Sequence, residues 1–154
     1  MIKLNLPEYS LKIIAKDGKY QVFDRIRKKY VALTEEEWVR QNFIHYLISE
    51  KNFPEQMMAV EASLKLHGME RRADIVVYGA DAKPALIVEC KASSVMISQE
   101  VFDQVARYNI TLRVPHLIVT NGLVHFYCRI DHVKNTFAFV EDIPGYGMLN
   151  ERGI

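Results

Sequence analysis

Residues 73–91 read ADIVVYGADAKPALIVECK, and this stretch decides the fold. Ile75 to Tyr78 and Ala85 to Cys90 are short apolar runs, and Gly79 to Pro84 between them carries turn residues, so the stretch reads as two strands joined by a turn. Asp74 opens the first strand, while Glu89 and Lys91 stand near the end of the second. Side chains two apart on a strand share a face, so Glu89 and Lys91 project together and Val88 and Cys90 point the other way. If the strands pair as neighbours, Asp74 reaches the same side. Two carboxylates and an ammonium then meet at the edge of an apolar sheet. Carboxylates that close repel unless a cation neutralises them. A hard divalent ion, Mg²⁺ or Mn²⁺, suits two carboxylates, a main-chain carbonyl and waters. A solvated strand end or an internal salt bridge also accounts for a bare Glu-x-Lys. The apolar flank IVECKA favours a functional reading, because charges entering a buried strand need a reason. Removing Asp74 from such a repelling pair would raise the stability of the metal-free chain.

Outward from this stretch, the hydrophobic period alternates between strand and helix. SLKIIAKDGKYQVFD (10–24) holds two alternating runs around Asp17-Gly18, a strong hairpin signal. A basic run, RIRKKYVAL (25–33), leads to a helix start. TEEEWVRQNFIHYLISEKNF (34–53) reads as a long helix, with Thr34 as N-cap and Glu37 completing a capping box. Val39, Phe43, Tyr46 and Leu47 form its apolar face. QMMAVEASLKL (56–66) alternates as a strand, with Glu61 an outward residue of an edge strand or an aid to the metal. SQEVFDQVARYNITL (98–112) is a second amphipathic helix capped by Ser98. HLIVTNGLVHFYC (116–128) gives two strands joined at Asn121-Gly122, NTFAFVED (135–142) adds one more, and IPGYGMLNERGI (143–154) reads as a loose tail. The order predicts an α/β (α+β) domain, a mixed central sheet flanked by helices with an N-terminal β-hairpin. One domain spans 1–154: a hairpin extension (1–30), a core (31–140) and a tail (141–154).

Composition narrows the function classes. The chain has 154 residues, is 49% hydrophobic and carries a net charge of +1, so no global basic field announces a nucleic-acid partner. Arg25, Arg27, Lys28 and Lys29 form the dense basic run, with Arg71-Arg72 a second cluster beside Asp74; such clusters can grip phosphates without reading bases. The 5 histidines lack ligand spacing, and Cys90 and Cys128 read as buried thiols. No stretch approaches the ~18 apolar residues of a membrane span, which predicts a cytoplasmic chain without membrane contact. Gly18-Lys19 is followed by Tyr20, so there is no phosphate-binding P-loop and no motor.

Asp74 followed by Glu89-x-Lys91 across a strand turn resembles the signature of the PD-(D/E)XK nuclease superfamily. More narrowly, LTEEEWVRQNFIHYLI, ADIVVY, LIVECKAS, ISQEVFDQVARYN and LIVTNG agree, in order, with the N-terminal nuclease-like domain of type I restriction enzyme R subunits. Ala73 departs from the superfamily's nominal proline before the first aspartate. The resemblance implies a restriction-endonuclease-like fold and Mg²⁺- or Mn²⁺-dependent DNA hydrolysis. It implies that Asp74 and Glu89 are metal ligands, that Lys91 is the catalytic lysine, and that Gln104 with Tyr108 is the Gln-x-x-x-Tyr pair of the second helix. It also implies an acid on the first helix. Glu36 is the choice, since it lies three before Val39, seven before Phe43 and eleven before Leu47, with Glu37 as the fallback. Arg71, Arg72 and Tyr108 are expected to touch nucleic acid. DNA is the expected partner, together with motor or specificity subunits of a restriction–modification system, and a homodimer is left open. The rival readings are a non-catalytic nucleic-acid-binding or assembly module that keeps the fold, and a structural domain whose three charged residues form a buried ion network.

Overall fold

The computed structural model of this chain describes residues 1–149, so the last five positions of the predicted tail lie outside the described residues. In chain order come β1 (Ile13–Lys16), β2 (Lys19–Asp24), β3 (Lys29–Ala32), α1 (Glu35–Lys51), β4 (Met58–Leu66), β5 (Met69–Tyr78) and β6 (Pro84–Cys90). Then follow α2 (Gln99–Ile110), β7 (His116–Thr120), β8 (His125–Asp131), β9 (Thr136–Val140) and α3 (Tyr146–Leu149). β1–β3 form a small antiparallel sheet, and β4–β9 form a six-stranded sheet with neighbours in sequence order. The large sheet is antiparallel except at β6–β7. Parallel neighbours need a crossover, and α2 supplies it. The result is the mixed α+β architecture that the element order predicts.

The helices cover opposite faces of the large sheet. Val39, Phe43, Ile44 and Leu47 of α1 pack with Ile75, Val77, Leu86, Val88 and Ile118. Phe102 and Ala106 of α2 pack with Val76, Ile87, Leu117, Val119 and Cys128. Burial on both faces explains why β6 and β7 read as unbroken apolar runs. Cys90 and Cys128 are buried free thiols.

β4 and β5 change faces partway along. Met58, Val60, Ile75 and Val77 belong to the α1 side, whereas Leu64 and Ala73 belong to the α2 side. The change falls at Glu61, whose φ is +51°. Around it the ladder pairs Val60 with Ile75 and Ala62 with Ala73, skipping Glu61 and Asp74. A non-glycine residue held at positive φ is uncommon and marks a special position. Here it breaks the period of two and sets Asp74 at the change of face.

Two expectations are corrected. The basic run after β2 turns back as a third strand, β3, instead of leading straight into the helix. The Asp24 carboxylate accepts the N–H groups of Ile26 (2.8 Å) and Arg27 (2.9 Å), and Lys28 takes φ +55°, which tightens the turn. The described part of the tail is docked, not loose: Tyr146 donates to the Tyr78 carbonyl (2.9 Å) and Leu149 is buried.

The Asn121-Gly122 turn behaves as its sequence predicts. The Asn121 side-chain oxygen accepts from Leu123 and Val124 (both 2.9 Å), and Gly122 takes φ +84°. The N-terminal segment lies against this turn, with Asn5 N–H donating to the Gly122 carbonyl (2.8 Å). A Cβ at Gly122 would stand 2.7 Å from a Leu4 methyl. Gly122→Ala is therefore expected to cost about 1–3 kcal/mol through positive-φ strain and this overlap. In urea unfolding, adding Leu4→Ala should relieve the overlap and leave the backbone term, so the two changes together should cost less than the sum of their separate effects.

Candidate functional site

The ends of β5 and β6 part just where the charged residues stand. The β5–β6 ladder ends at Ile75 and Val88. Beyond it, the Asp74 carboxylate takes the place of a strand partner, its Oδ2 accepting the N–H of Cys90 at 2.7 Å. Glu89 follows Ile87 by two residues and so faces the α2 side. It is half-buried and shares a side-chain hydrogen bond with Asp74. Lys91 is the first residue beyond β6, and its N–H is held by the Thr120 carbonyl of β7 at 2.8 Å. The structure thus brings Asp74 and Glu89 together and sets Lys91 beside them. The Lys91 amine forms no close ion pair among the described residues, although its charge acts on Glu89.

Glu89 is the perturbed group. Burial pushes its carboxyl up to about 8, the negative charge of Asp74 and their hydrogen bond push the same way, and Lys91 and Arg71 pull back. Its neutral form is therefore favoured to a higher pH than in a free carboxyl group. The donor set suits a hard divalent cation, which is commonly held by one or two carboxylates with waters. No group of three or more His, Cys, Asp or Glu among the described residues forms a ready cage.

From the α1 side comes a residue that the sequence reading missed. Arg40 is 3% exposed, and its guanidinium donates to four carboxylates. Nη2 reaches Glu36 (3.1 Å) and Asp74 Oδ1 (3.3 Å), while Nη1 reaches Glu37 (3.2 Å) and Glu61 (3.3 Å). Burial works against its charge, but Glu37 and Asp74 outweigh this and hold its pKa above the ordinary value. The signal was present in sequence: Arg40 lies four residues after Glu36 and three after Glu37, the spacing at which helical charges pair.

Glu36 meets Asp74 through this shared nitrogen while remaining half in solvent. Glu37, read in the sequence as a capping acid and only the fallback to Glu36, is the more deeply buried of the two. Its backbone N–H does bond the Thr34 hydroxyl at 3.0 Å. Its carboxylate, however, accepts from Arg27 (2.8 Å) and Gln41 (3.1 Å) rather than closing a capping box. The cause is Arg27, delivered by the β2–β3 turn that sequence periodicity did not reveal. Glu61 is likewise no idle edge residue, because it joins Arg40 and also Arg72 (2.8 Å).

The remaining expected residues lie along α2. Arg71 is largely buried; it stacks over the Tyr108 ring and donates to the Tyr108 carbonyl (3.2 Å). Burial lowers its pKa to about 10, with Glu89 opposing. Arg72 is exposed and paired with Glu61. Gln104 and Tyr108 are exposed and line a groove with Arg71 and Arg107. No hydrogen bond among the described residues carries Gln104 to Glu89 or Lys91.

The predicted gain in stability on removing Asp74 is reversed, because this carboxylate satisfies the Cys90 N–H and one arm of Arg40. The group whose charge is costly is Glu89. Its pKa rises from the ordinary 4.5 to about 8 in the folded chain. The stabilisation from retaining its proton is therefore full below pH 4.5 and is lost as the pH rises through 8. Glu89→Gln should accordingly melt progressively higher than wild type as the pH is raised from 5 to 9 in EDTA, by a few kcal/mol at most. A melting-temperature difference that stayed flat across this window would contradict the raised pKa.

Against known proteins, residues 35–144 match the family model described as the N terminus of the type I restriction enzyme R protein. No curated protein matches the chain. Among solved structures, it is similar to a fragment described as an HsdR subunit of a type I restriction enzyme from Vibrio vulnificus YJ016. That likeness has 18% identity and a TM-score of 0.52, and it covers 76% of this chain. The chain spans 24% of that structure's length, and the likeness concerns the fold. With the family model matching well over half its length, the chain belongs to the family of type I restriction enzyme R protein N-terminal regions.

Proposed function

We propose that this chain is a Mg²⁺- or Mn²⁺-dependent DNA endonuclease domain that hydrolyses phosphodiesters beside motor and specificity subunits of a restriction–modification system. The observation that carries it is the Asp74–Glu89 carboxylate pair, close enough to share a hydrogen bond and strained enough to hold Glu89 near 8, with Lys91 alongside. Such a pair is unfavourable without a cation, and a cation is what this chemistry uses. When bound, a divalent ion supplies positive charge to the phosphate as its negative charge grows. Asp74 and Glu89 are the residues that would hold it. Asp74 is aimed by the Cys90 N–H and steadied by Arg40, so its position does not depend on a flexible rotamer. Lys91, fixed through its backbone to β7, orients the attacking water with its ammonium and stabilises developing charge. Glu36 anchors Arg40 from the solvent side, and Gln104, Arg72 and Tyr108 border the path of the DNA backbone.

One observation favours a non-catalytic nucleic-acid-binding module: both oxygens of Asp74 already have protein partners. Calorimetric Mn²⁺ titration together with plasmid cleavage in Mg²⁺, Mn²⁺ or EDTA separates the two readings. Lys91→Ala is expected to bind Mn²⁺ within a few-fold of wild type yet cleave about 100-fold more slowly or worse, since the lysine acts mainly in the transition state. Asp74→Ala should lose both properties. A wild-type chain that binds DNA but never cuts it with either metal, even with partner subunits added, makes the binding module the better account.

A further inference from the structure

The small sheet sorts its basic residues by face. Residues 11–32 carry seven Lys or Arg against two Asp, in a chain whose total charge is +1, so the remainder is net negative. Val22 and Asp24 of β2 are fully buried and turn inward. The arginines of the β2–β3 turn also go to partners: Arg25 to Glu55 (3.0 Å), and Arg27 to Asp24 and to Glu37 (2.8 Å). Alternation puts Lys19, Gln21 and Phe23 on the opposite, outward face, and the register sets Lys16, Ile14 and Tyr30 beside them. Lys12 joins this face with its ammonium 5.4 Å from the Phe23 ring centroid, and Phe23 meets Tyr30 edge-on. Lys12, Lys16 and Lys19 are exposed and have no ion-pair partner among the described residues.

One pair on this face runs against folding. Lys16 and Lys19 stand directly opposite each other across the Asp17-Gly18 turn. Like charges in that position destabilise a two-stranded ribbon. A surface that retains such a pair, with a third lysine and two aromatic rings and no acid among its strand residues, is built for an extended anion. Its location says which one. The base of the sheet connects to the candidate site through an unbroken series of ion pairs, Arg27–Glu37 (2.8 Å), Glu37–Arg40 (3.2 Å) and Arg40–Asp74 (3.3 Å). The lysine end of β2 is in turn tied to the start of α1, where the Leu33 N–H donates to the Tyr20 carbonyl (3.0 Å) and Glu36 shares Arg40 with Asp74, so the lysine turn and the carboxylate pair both border the first turn of α1. A polymer of phosphates spans both, which a small anion does not.

We infer that the outward face of the β1–β3 sheet, through Lys12, Lys16 and Lys19, binds the sugar–phosphate backbone of duplex DNA leading into the Asp74–Glu89 site. This rests on the nuclease reading for its choice of ligand, but binding is measured apart from cleavage. The contacts are ammonium to phosphate, so they position the duplex without reading its sequence.

The test is fluorescence anisotropy of a labelled duplex in EDTA over a range of salt. It compares wild type, Lys16→Ala/Lys19→Ala, and the charge-matched control Lys83→Ala/Lys134→Ala, whose lysines are exposed at the β5–β6 and β8–β9 turns. Losing two phosphate contacts should lower the log–log salt slope by about 2 and weaken binding roughly tenfold at moderate salt, while the control matches wild type. Lys16→Arg/Lys19→Arg should restore the slope, which a merely misfolded hairpin would not allow. The inference is overturned if the alanine pair binds like the control, or if wild type does not bind the duplex. It also falls if polyglutamate competes as well as unlabelled duplex, since an acidic protein would then be the better ligand. Should Lys91→Ala abolish cleavage while the lysine pair proves silent, the carboxylate site stands and this surface falls. Salt-dependent loss in the lysine pair with no cleavage by wild type gives the reverse.

Discussion

The buried guanidinium of Arg40 holds this molecule's functional end together. An arginine taken from water is expensive to bury, and only close pairing with good hydrogen bonds offsets the desolvation. Four carboxylates supply that pairing, and they come from α1 (Glu36, Glu37), from the unusual backbone position in β4 (Glu61) and from β5 (Asp74). Each of these acids would repel its neighbours without the cation between them. Glu37 is tied onward to Arg27, so the small sheet, the first helix and the large sheet share one electrostatic junction. The planar fork of arginine suits such a node, whereas a lysine would offer one point charge to four oxygens.

Much of this was legible in the chain. Residues 73–91 announced two strands, and the alternation in ALIVECK placed Glu89 and Lys91 on one side with Cys90 on the other. Asn121-Gly122 and Asp17-Gly18 announced their turns because positive φ leaves few residue choices. What escaped was non-local. Glu37 reads as a capping acid on its own helix, and only the β2–β3 turn, ten residues upstream, shows that it is an ion-pair partner. β3 was hidden because KYVA is short and follows a basic run. Its strand character comes from pairing with β2, while its own composition is silent. Arg71 beside Arg72 reads as a surface cluster, yet period-two alternation sends one to the interior and the other to solvent. The departure at Glu61 has no composition signature at all.

The charge distribution shows how a nearly neutral chain comes to present a strongly basic face. Acids concentrate around α1 and the strand ends, where they hold Arg40 and Arg27, and lysines gather on a separate face of the small sheet. Net charge sums over both and so conceals both. Arg27 and Arg40 serve the interior, where bidentate geometry matters, and Lys12, Lys16 and Lys19 serve the surface, where a mobile, strongly hydrated charge suffices.

The parallel pairing of β6 with β7 has a consequence for the order in which the chain gains its structure. Lys91 is fixed through its N–H to Thr120 across the whole of α2 and its connections, a contact far apart in sequence. The Asp74–Cys90 contact, by contrast, closes within a single hairpin. Local closures form early, whereas distant ones must first overcome the entropy of a long loop. During folding the acidic half of the site can therefore exist before its lysine is in place. A chain still emerging from the ribosome would carry paired carboxylates with no positioned ammonium beside them until β7 joins the sheet.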